Sequence, residues 1–464
     1  MESSNMRQGR WLNLCAPVNL AAALLATGMI AGVANVPHCA LAQQPQQERR
    51  VVPRDEYLFA LRGYYTGEYK SAARTMRSVA SGGIRSTEGR WVDSICYHTM
   101  MGECFYHTGQ LDLALEQYES ALALAIKHRD WMLRVQFPPA ITPSGSRVQT
   151  RITWGASSRR SRLGNYPDTM SSFQGRLDNE GAFRQGGVVV QPTLYPLRVT
   201  EVVRCTGLSL YRRWELMGPT GEHSPLSQAM VDALAKRPAP ANHWSQTWIE
   251  AQLGLAQATN GNKAEAVAHL QRAIVAGEGY DHHLTPLVLM ALGKLFMEDD
   301  NLEGAANLFL EASFAGATFG QPDVVAEALH HGLIVHIARG GQGAYPPLVN
   351  AIPWAKREGF DNLETWLYVL AAESFTAVGD GNNADKMLDQ ARRALARSEA
   401  RAGNLGARYN YQLALAGFQN GNAAAATKSL DEALRYQQAG SHRLLHVALA
   451  NKAFVSGAIT ARKA

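Results

Sequence analysis

Small and large apolar residues recur along this chain at fixed distances from a turn residue. In "MMGECFYHTGQLDLALEQYESALA", from Met100, the turn is Gly109, with Gly102 seven residues before it and Ala114, Tyr118 and Ala121 five, nine and twelve after. The stretch from Gln252 repeats the set as Gly261, Gly254, Ala266, Leu270 and Ala273. The same frame fits around Asp300 (Gly293, Ala305, Phe309, Ala312), Gly379 (Ala372, Ala384, Leu388, Ala391) and Gly421 (Ala414, Ala426, Leu430, Ala433). Nearer the start, Gly67 keeps Ala60, Ala72 and Met76. The pattern predicts two antiparallel helices joined by a tight turn. The small residues let the helices approach, and the large one fills the gap beside them. A single hairpin of this kind cannot cover its apolar face, so hairpins stack into a solenoid.

The six stretches resemble tetratricopeptide repeats over most of residues 53–440. Turn spacings of 42 (Gly67 to Gly109), 39 (Gly261 to Asp300) and 42 (Gly379 to Gly421) give a period of about 40, longer than the family's usual repeat. Further turns are expected at Gly218 and within Arg339–Gly343, which brings the array to about eight hairpins. The expected fold is therefore mainly α, an α-solenoid of tetratricopeptide-like hairpins. The frame is weakest at "AYPPLVNAIPWAKREG", where two prolines open the second helix.

Between Gly109 and Gly218 one period is exceeded by 67 residues, the length of the segment from Met132 to Arg198. Within it "RVQTRITW" alternates polar and apolar residues as a half-buried strand does, and "MLRVQF" and "GGVVVQPTLYPL" are β-prone. A small β-containing insertion is expected to leave the array between the second and third hairpins and to be dispensable for folding. "WGASSRRSRLGNYP" (Trp154 to Pro167) reads as its exposed loop. The insertion holds nine arginines, no lysine and three acids, a net +6 in a chain that is +5 overall. Arginine without lysine favours bidentate contact with carboxylates or phosphates. Trp154, Arg159, Arg160, Arg162 and Tyr166 are the candidate contact residues, set against a solvated loop whose arginines pair with acids elsewhere in the chain.

At the N-terminus, Arg7 and Arg10 precede the apolar run Leu20 to Ala34 and the small-residue site Ala40-Leu41-Ala42, the parts of a secretory signal. The expected organisation is a signal peptide over 1–42, cleaved or retained as an anchor, and a linker over 43–52. Hairpins over 53–131, the insertion over 132–198, hairpins over 199–440, and a capping helix and tail over 441–464 follow. Export to the periplasm or cell envelope is the implied location. Outside the signal only Cys96, Cys104 and Cys205 remain, which permits one disulfide, Cys96–Cys205.

No chemistry is nominated. The histidine clusters at Asp281–Leu284 and His330–His336 lack zinc-protease spacing, and no nucleophile elbow or phosphate loop occurs, so no catalytic residue, metal or cofactor is expected. The resemblance implies instead that the first helix of each hairpin lines a concave groove holding a partner peptide. Counting back from each turn by 13, 10, 6 and 3 residues selects Tyr57, Tyr64, Tyr106, Arg212, Trp248, Met290, Lys294, Met297, Trp366, Tyr411 and Phe418. Aromatic, methionine and arginine side chains are those of interface cores. The expected function is a non-enzymatic interaction scaffold of the cell envelope, binding another protein or peptide, with the insertion as a second contact surface. An anionic lipid or wall polymer gripped by the insertion is the alternative, and an unfamiliar enzyme the third reading. Nucleic acid is not an expected partner, and the oligomeric state is open.

Overall fold

The computed structural model describes residues 50–436, apart from 87–88, 145–151, 176–183, 185–191, 276–278 and 397. The signal segment, most of the linker, the tail over 441–464 and most of the strand expected over Arg147–Trp154 lie outside the described residues.

Helices follow one another in eight successive pairs among the described residues. They are α1 (Asp55–Tyr65) and α2 (Tyr69–Ala80), α3 (Asp93–His107) and α4 (Leu111–Lys127), then α5 (Val199–Met217) and α6 (Pro225–Ala235). Next come α7 (Gln246–Thr259) and α8 (Lys263–Val275), α9 (Thr285–Glu298) and α10 (Leu302–Thr318), α11 (Pro322–Ala338) and α12 (Pro346–Glu358). The last are α13 (Asp361–Ala377) and α14 (Gly381–Leu395), α15 (Asn404–Gln419) and α16 (Ala423–Tyr436). The architecture is an α-solenoid of tetratricopeptide-like hairpins.

The repeated residues explain the pairing. Ala114, Tyr118, Ala121, Ala266, Leu270, Ala273, Ala305, Phe309 and Ala312 are all fully buried. A Cβ placed on Gly102 would lie 2.6 Å from the Tyr118 ring, and one on Gly293 2.6 Å from the Phe309 ring. The helices therefore touch where glycine leaves room. The Gly109 turn has φ +79°, which glycine adopts freely. Asp300 takes the same role at φ +57°, and Asn301 then caps α10 by accepting from the Gly304 amide at 3.0 Å. Two pairs depart from the rule: α6 packs mainly on α4 and α7, and the proline-started α12 mainly on α13.

The array curls until its beginning meets its later part. Asn362, at the start of α13, donates to the Tyr69 hydroxyl at 2.7 Å, and Asn404, at the start of α15, donates to the Tyr106 carbonyl at 2.8 Å. Gly403 fits because a Cβ there would sit 2.3 Å from the His107 carbonyl oxygen. The expected open groove is in this way narrowed into a chamber that keeps an opening to solvent.

A two-stranded pair, β1 (Arg85–Ser86) and β2 (Gly89–Arg90), precedes α3, and the insertion contains further short strands: β3 (Thr142–Pro143), β4 (Arg162–Asn165), β5 (Thr169–Gln174) and β6 (Thr193–Arg198), the last two an antiparallel hairpin. Ile152–Trp154, the described end of the expected strand, are irregular. The loop Trp154–Pro167 is not a free excursion, and that expectation is corrected. β4 runs parallel to Tyr280–Asp281 ahead of α9, and Trp154 stacks edge-on against Trp354 of α12 with ring centroids 5.1 Å apart. The insertion straps the edge opposite the hairpin turns.

Cys96, Cys104 and Cys205 are buried free thiols, and burial together with a hydrogen bond to Cys205 pushes the Cys96 thiol well up from its ordinary range. The Cys96–Cys205 disulfide that the sequence permits is not formed. No helix among the described residues is long and apolar enough to cross a membrane.

Candidate functional site

The chamber has a volume of about 350 Å³ and is lined by first helices and by Tyr69 at the start of α2. On α11, Asp323, Glu327, His330, His331 and Ile334 follow the three-and-four spacing of one helical face, so a single helix presents them together. Opposite stand Tyr64 and Tyr65 of α1, Tyr106 and His107 of α3, and Arg212 and Glu215 of α5. Trp366 and Asn362 of α13 and Asn404 and Arg408 of α15 complete the wall.

Arg212 is the hub, 3% exposed. Its guanidinium donates to Glu103 at 3.0 Å, Glu215 at 2.6 Å and Glu327 at 2.8 Å, and lies 4.4 Å from the centre of the Tyr106 ring. Lys294 of α9 bonds Glu215 and lies 3.6 Å from Glu327. Tyr211 donates to Glu327 and Tyr118 to Glu103, each at 2.5 Å. Arg408 holds Glu373 at 2.7 Å and donates to His330 Nε2, also at 2.7 Å. Burying these charges costs energy that only such mutual pairing offsets.

The protonation states follow from burial and neighbours. Burial alone raises Glu327, but Arg212 and Lys294 outweigh it and hold the carboxyl well below its ordinary range. Burial followed by Glu327 raises Glu215. Burial followed by Glu103 raises Asp323 to about 6. Burial lowers His107 and His331 to about 4, and burial with Arg408 lowers His330 well below its usual value, so the chamber's histidines are neutral near pH 7. Among the described residues no group of three or more His, Cys, Asp or Glu is placed to hold a metal.

The chamber gathers only part of the residues picked from the sequence. Tyr64, Tyr106, Arg212 and Trp366 line it, and Lys294 braces its wall. Tyr57, Trp248 and Met290 are fully buried instead. Tyr57 donates to Glu201, Trp248 packs with Trp244, and Met290 joins the main core, because these helices face neighbouring helices over more of their circumference than an open groove allows. Met297 is half-buried on that core, Tyr411 packs beside Ala414 and Leu430, and Phe418 is 41% exposed near the end of α15. None of these three lines the chamber.

In the insertion, Trp154 is 6% exposed and its indole donates to Ser313 at 2.9 Å. Arg159 makes a bidentate pair with Asp281 at 2.6 and 3.2 Å. Tyr166 is half-buried beside Trp244, Trp248 and His283. Arg160 and Arg162 are exposed, the latter 4.5 Å from the centre of the Tyr280 ring. Of the expected contact set, Trp154 is turned inward, Arg159 and Tyr166 are half-buried against the array, and Arg160 and Arg162 stay at the surface.

No family model and no curated protein matches the chain. Among the solved structures that the chain is similar to is one described as the crystal structure of the APC/C hetero-tetramer Cut9-Hcn1. The identity is 12%, over 85% of this chain and 83% of that one, with a TM-score of 0.23. A likeness of that size adds nothing to what the helices show on their own.

Proposed function

We propose that this chain is a non-enzymatic interaction scaffold, and that its chamber, rather than an open groove, receives a projecting segment of another protein. The observation that carries the reading is a cavity of about 350 Å³ walled by charged and aromatic side chains. A pocket of that size holds one or two side chains of a partner and not an extended strand. The reading includes export to the cell envelope, on the strength of Arg7, the apolar run to Ala34 and the Ala40-Leu41-Ala42 site. A second contact through the insertion falls to the exposed Arg160. Grip on an anionic polymer has less to draw on, because Arg159 is paired with Asp281 and Arg198 with Asp55 and Asp168.

A photo-crosslinking amino acid in place of Trp366, inside the chamber, tests the proposal against the same probe at exposed Phe418. The expected result is an adduct at 366 that maps to one segment of one protein, with a synthetic copy of that segment displacing it. Equal labelling from both positions would refute the assignment.

A further inference from the structure

The chamber and its supports do not balance in charge. Five carboxyls, Glu103, Glu215, Asp323, Glu327 and Glu373, meet three cations, Arg212, Lys294 and Arg408, and each of those cations is already bonded to a carboxylate. The histidines add no charge near pH 7. An excess of two negative charges is left. Among the described residues lining the chamber, every buried side-chain polar atom without a hydrogen-bond partner is an oxygen: Asp323 Oδ1, Asn362 Oδ1 and Asn404 Oδ1. The Asn404 amide cannot be turned round, because its nitrogen donates to the Tyr106 carbonyl. Unmet acceptors call for a donor, and uncompensated carboxylates call for a positive one.

Aromatic walls fit the same chemistry, since a cation is attracted to a ring face. The protein already uses that arrangement internally, with Arg212 over Tyr106 and Lys294 at 4.5 Å from the Tyr211 ring centre. Trp366 and Tyr65 offer further ring surface in the chamber wall.

We infer that the chamber is a receptor for an organic cation on a narrow stem, a primary ammonium or guanidinium group, with Asp323 as its counter-charge. This rests on the reading that the chamber is the binding site. The group arrives either on a lysine or arginine side chain of the partner segment or as a free small amine.

Calorimetric titration of the purified chain near pH 7.5 tests this. The probes are free cadaverine, a capped Gly-Lys-Gly peptide, its acetyl-lysine counterpart, and glutarate as an anion of similar size. One of the first two is expected to bind, with the acetylated peptide and glutarate at least about tenfold weaker. Cadaverine alone identifies a free amine as the source, and the lysine peptide a side chain. Asp323→Asn should weaken binding about tenfold or more, the loss expected when one partner of a buried charge contact is removed. Asp389→Asn, at an exposed ion pair on α14, should not. Should Asp323→Asn fail to fold, the unmodified chain gives the same information through pH. Asp323 faces Glu103 of α3, Arg204 and Arg212 of α5 and Tyr64, Tyr65 and Tyr69 of α1 and α2, with Glu327, His330 and His331 on its own helix. Cation binding should fall as pH drops from 7.5 through about 6 to 5, where Asp323 takes up its proton. Failure of both cations to bind more tightly than about 10 mM, or preference for glutarate, overturns the inference. Binding of cations without any adduct at position 366 would keep it and sink the scaffold reading. An adduct without cation binding would do the converse.

Discussion

At the scale of single residues, the fold depends on places where a methyl group has no room. Gly102→Ala must displace Tyr118, itself fully buried. The variant is expected to lose ~1–3 kcal/mol of unfolding free energy. Gly381→Ala, whose new methyl meets open space, should lose none. Urea unfolding of both decides, and a Gly102→Ala chain as stable as the parent would refute close helix contact at that point. The same anchors were legible in the sequence because spacing alone reveals them. The chamber was half legible. The count back from each turn that selected Tyr64, Arg212 and Trp366 also falls on Glu103, Glu215, Glu373 and Arg408. Applied to Gly340, it falls on Glu327, His330 and Ile334. Keeping mainly aromatic and methionine positions set the acids aside. A charged residue on a helix usually marks a solvated face, and only closure of the array makes these internal.

At the scale of elements, the insertion is where composition misled. Serine, arginine and glycine read as exposed loop, yet Ser157 and Ser158 donate to Glu311, and Arg159 and Ser161 to Asp281. The partners lie more than a hundred residues away, so no local pattern announces them. Removing residues 132–198, which the period alone makes look harmless, would leave Asp281 and Glu311 without these partners and uncover Phe314 and Trp354. The shortened chain is accordingly expected to melt well below the parent. Trp154→Ala should by itself cost ~3–5 kcal/mol, the usual range for emptying a buried tryptophan site. Thermal unfolding followed by circular dichroism measures both. A Trp154→Ala chain with unchanged melting would return the loop to the solvent-facing role first expected of it.

The whole molecule carries an acid sensitivity. His107, His282, His283 and His331 are lowered to about 4, chiefly by burial, and His330 further. In the unfolded chain histidine takes a proton near 6.5. These groups stabilise the fold fully above 6.5, and that contribution is lost as pH falls toward 4. Asp93 and Asp323 act the other way. Burial raises them to about 7 and about 6, so their protonation favours the folded state over part of the same window. Five histidines outnumber the two aspartates and Glu215, which burial and Glu327 also raise, and the melting temperature is expected to fall from pH 6.5 to 4.5, less steeply in His331→Gln. A flat or rising profile would contradict the burial of these rings.

Closure has one more consequence. A linear stack of repeats frays from its ends, because a terminal hairpin is held on one side only. Here α1 and α2 are held from both sides, by α3 and by α13. Unzipping from the first hairpin therefore cannot proceed one repeat at a time until the seam at Asn362–Tyr69 and Asn404–Tyr106 has parted. That seam also borders the chamber, so the event that begins unravelling is the event that widens the doorway. Whatever occupies the chamber and bridges the seam acts as a clasp, and its departure loosens the ring as a whole.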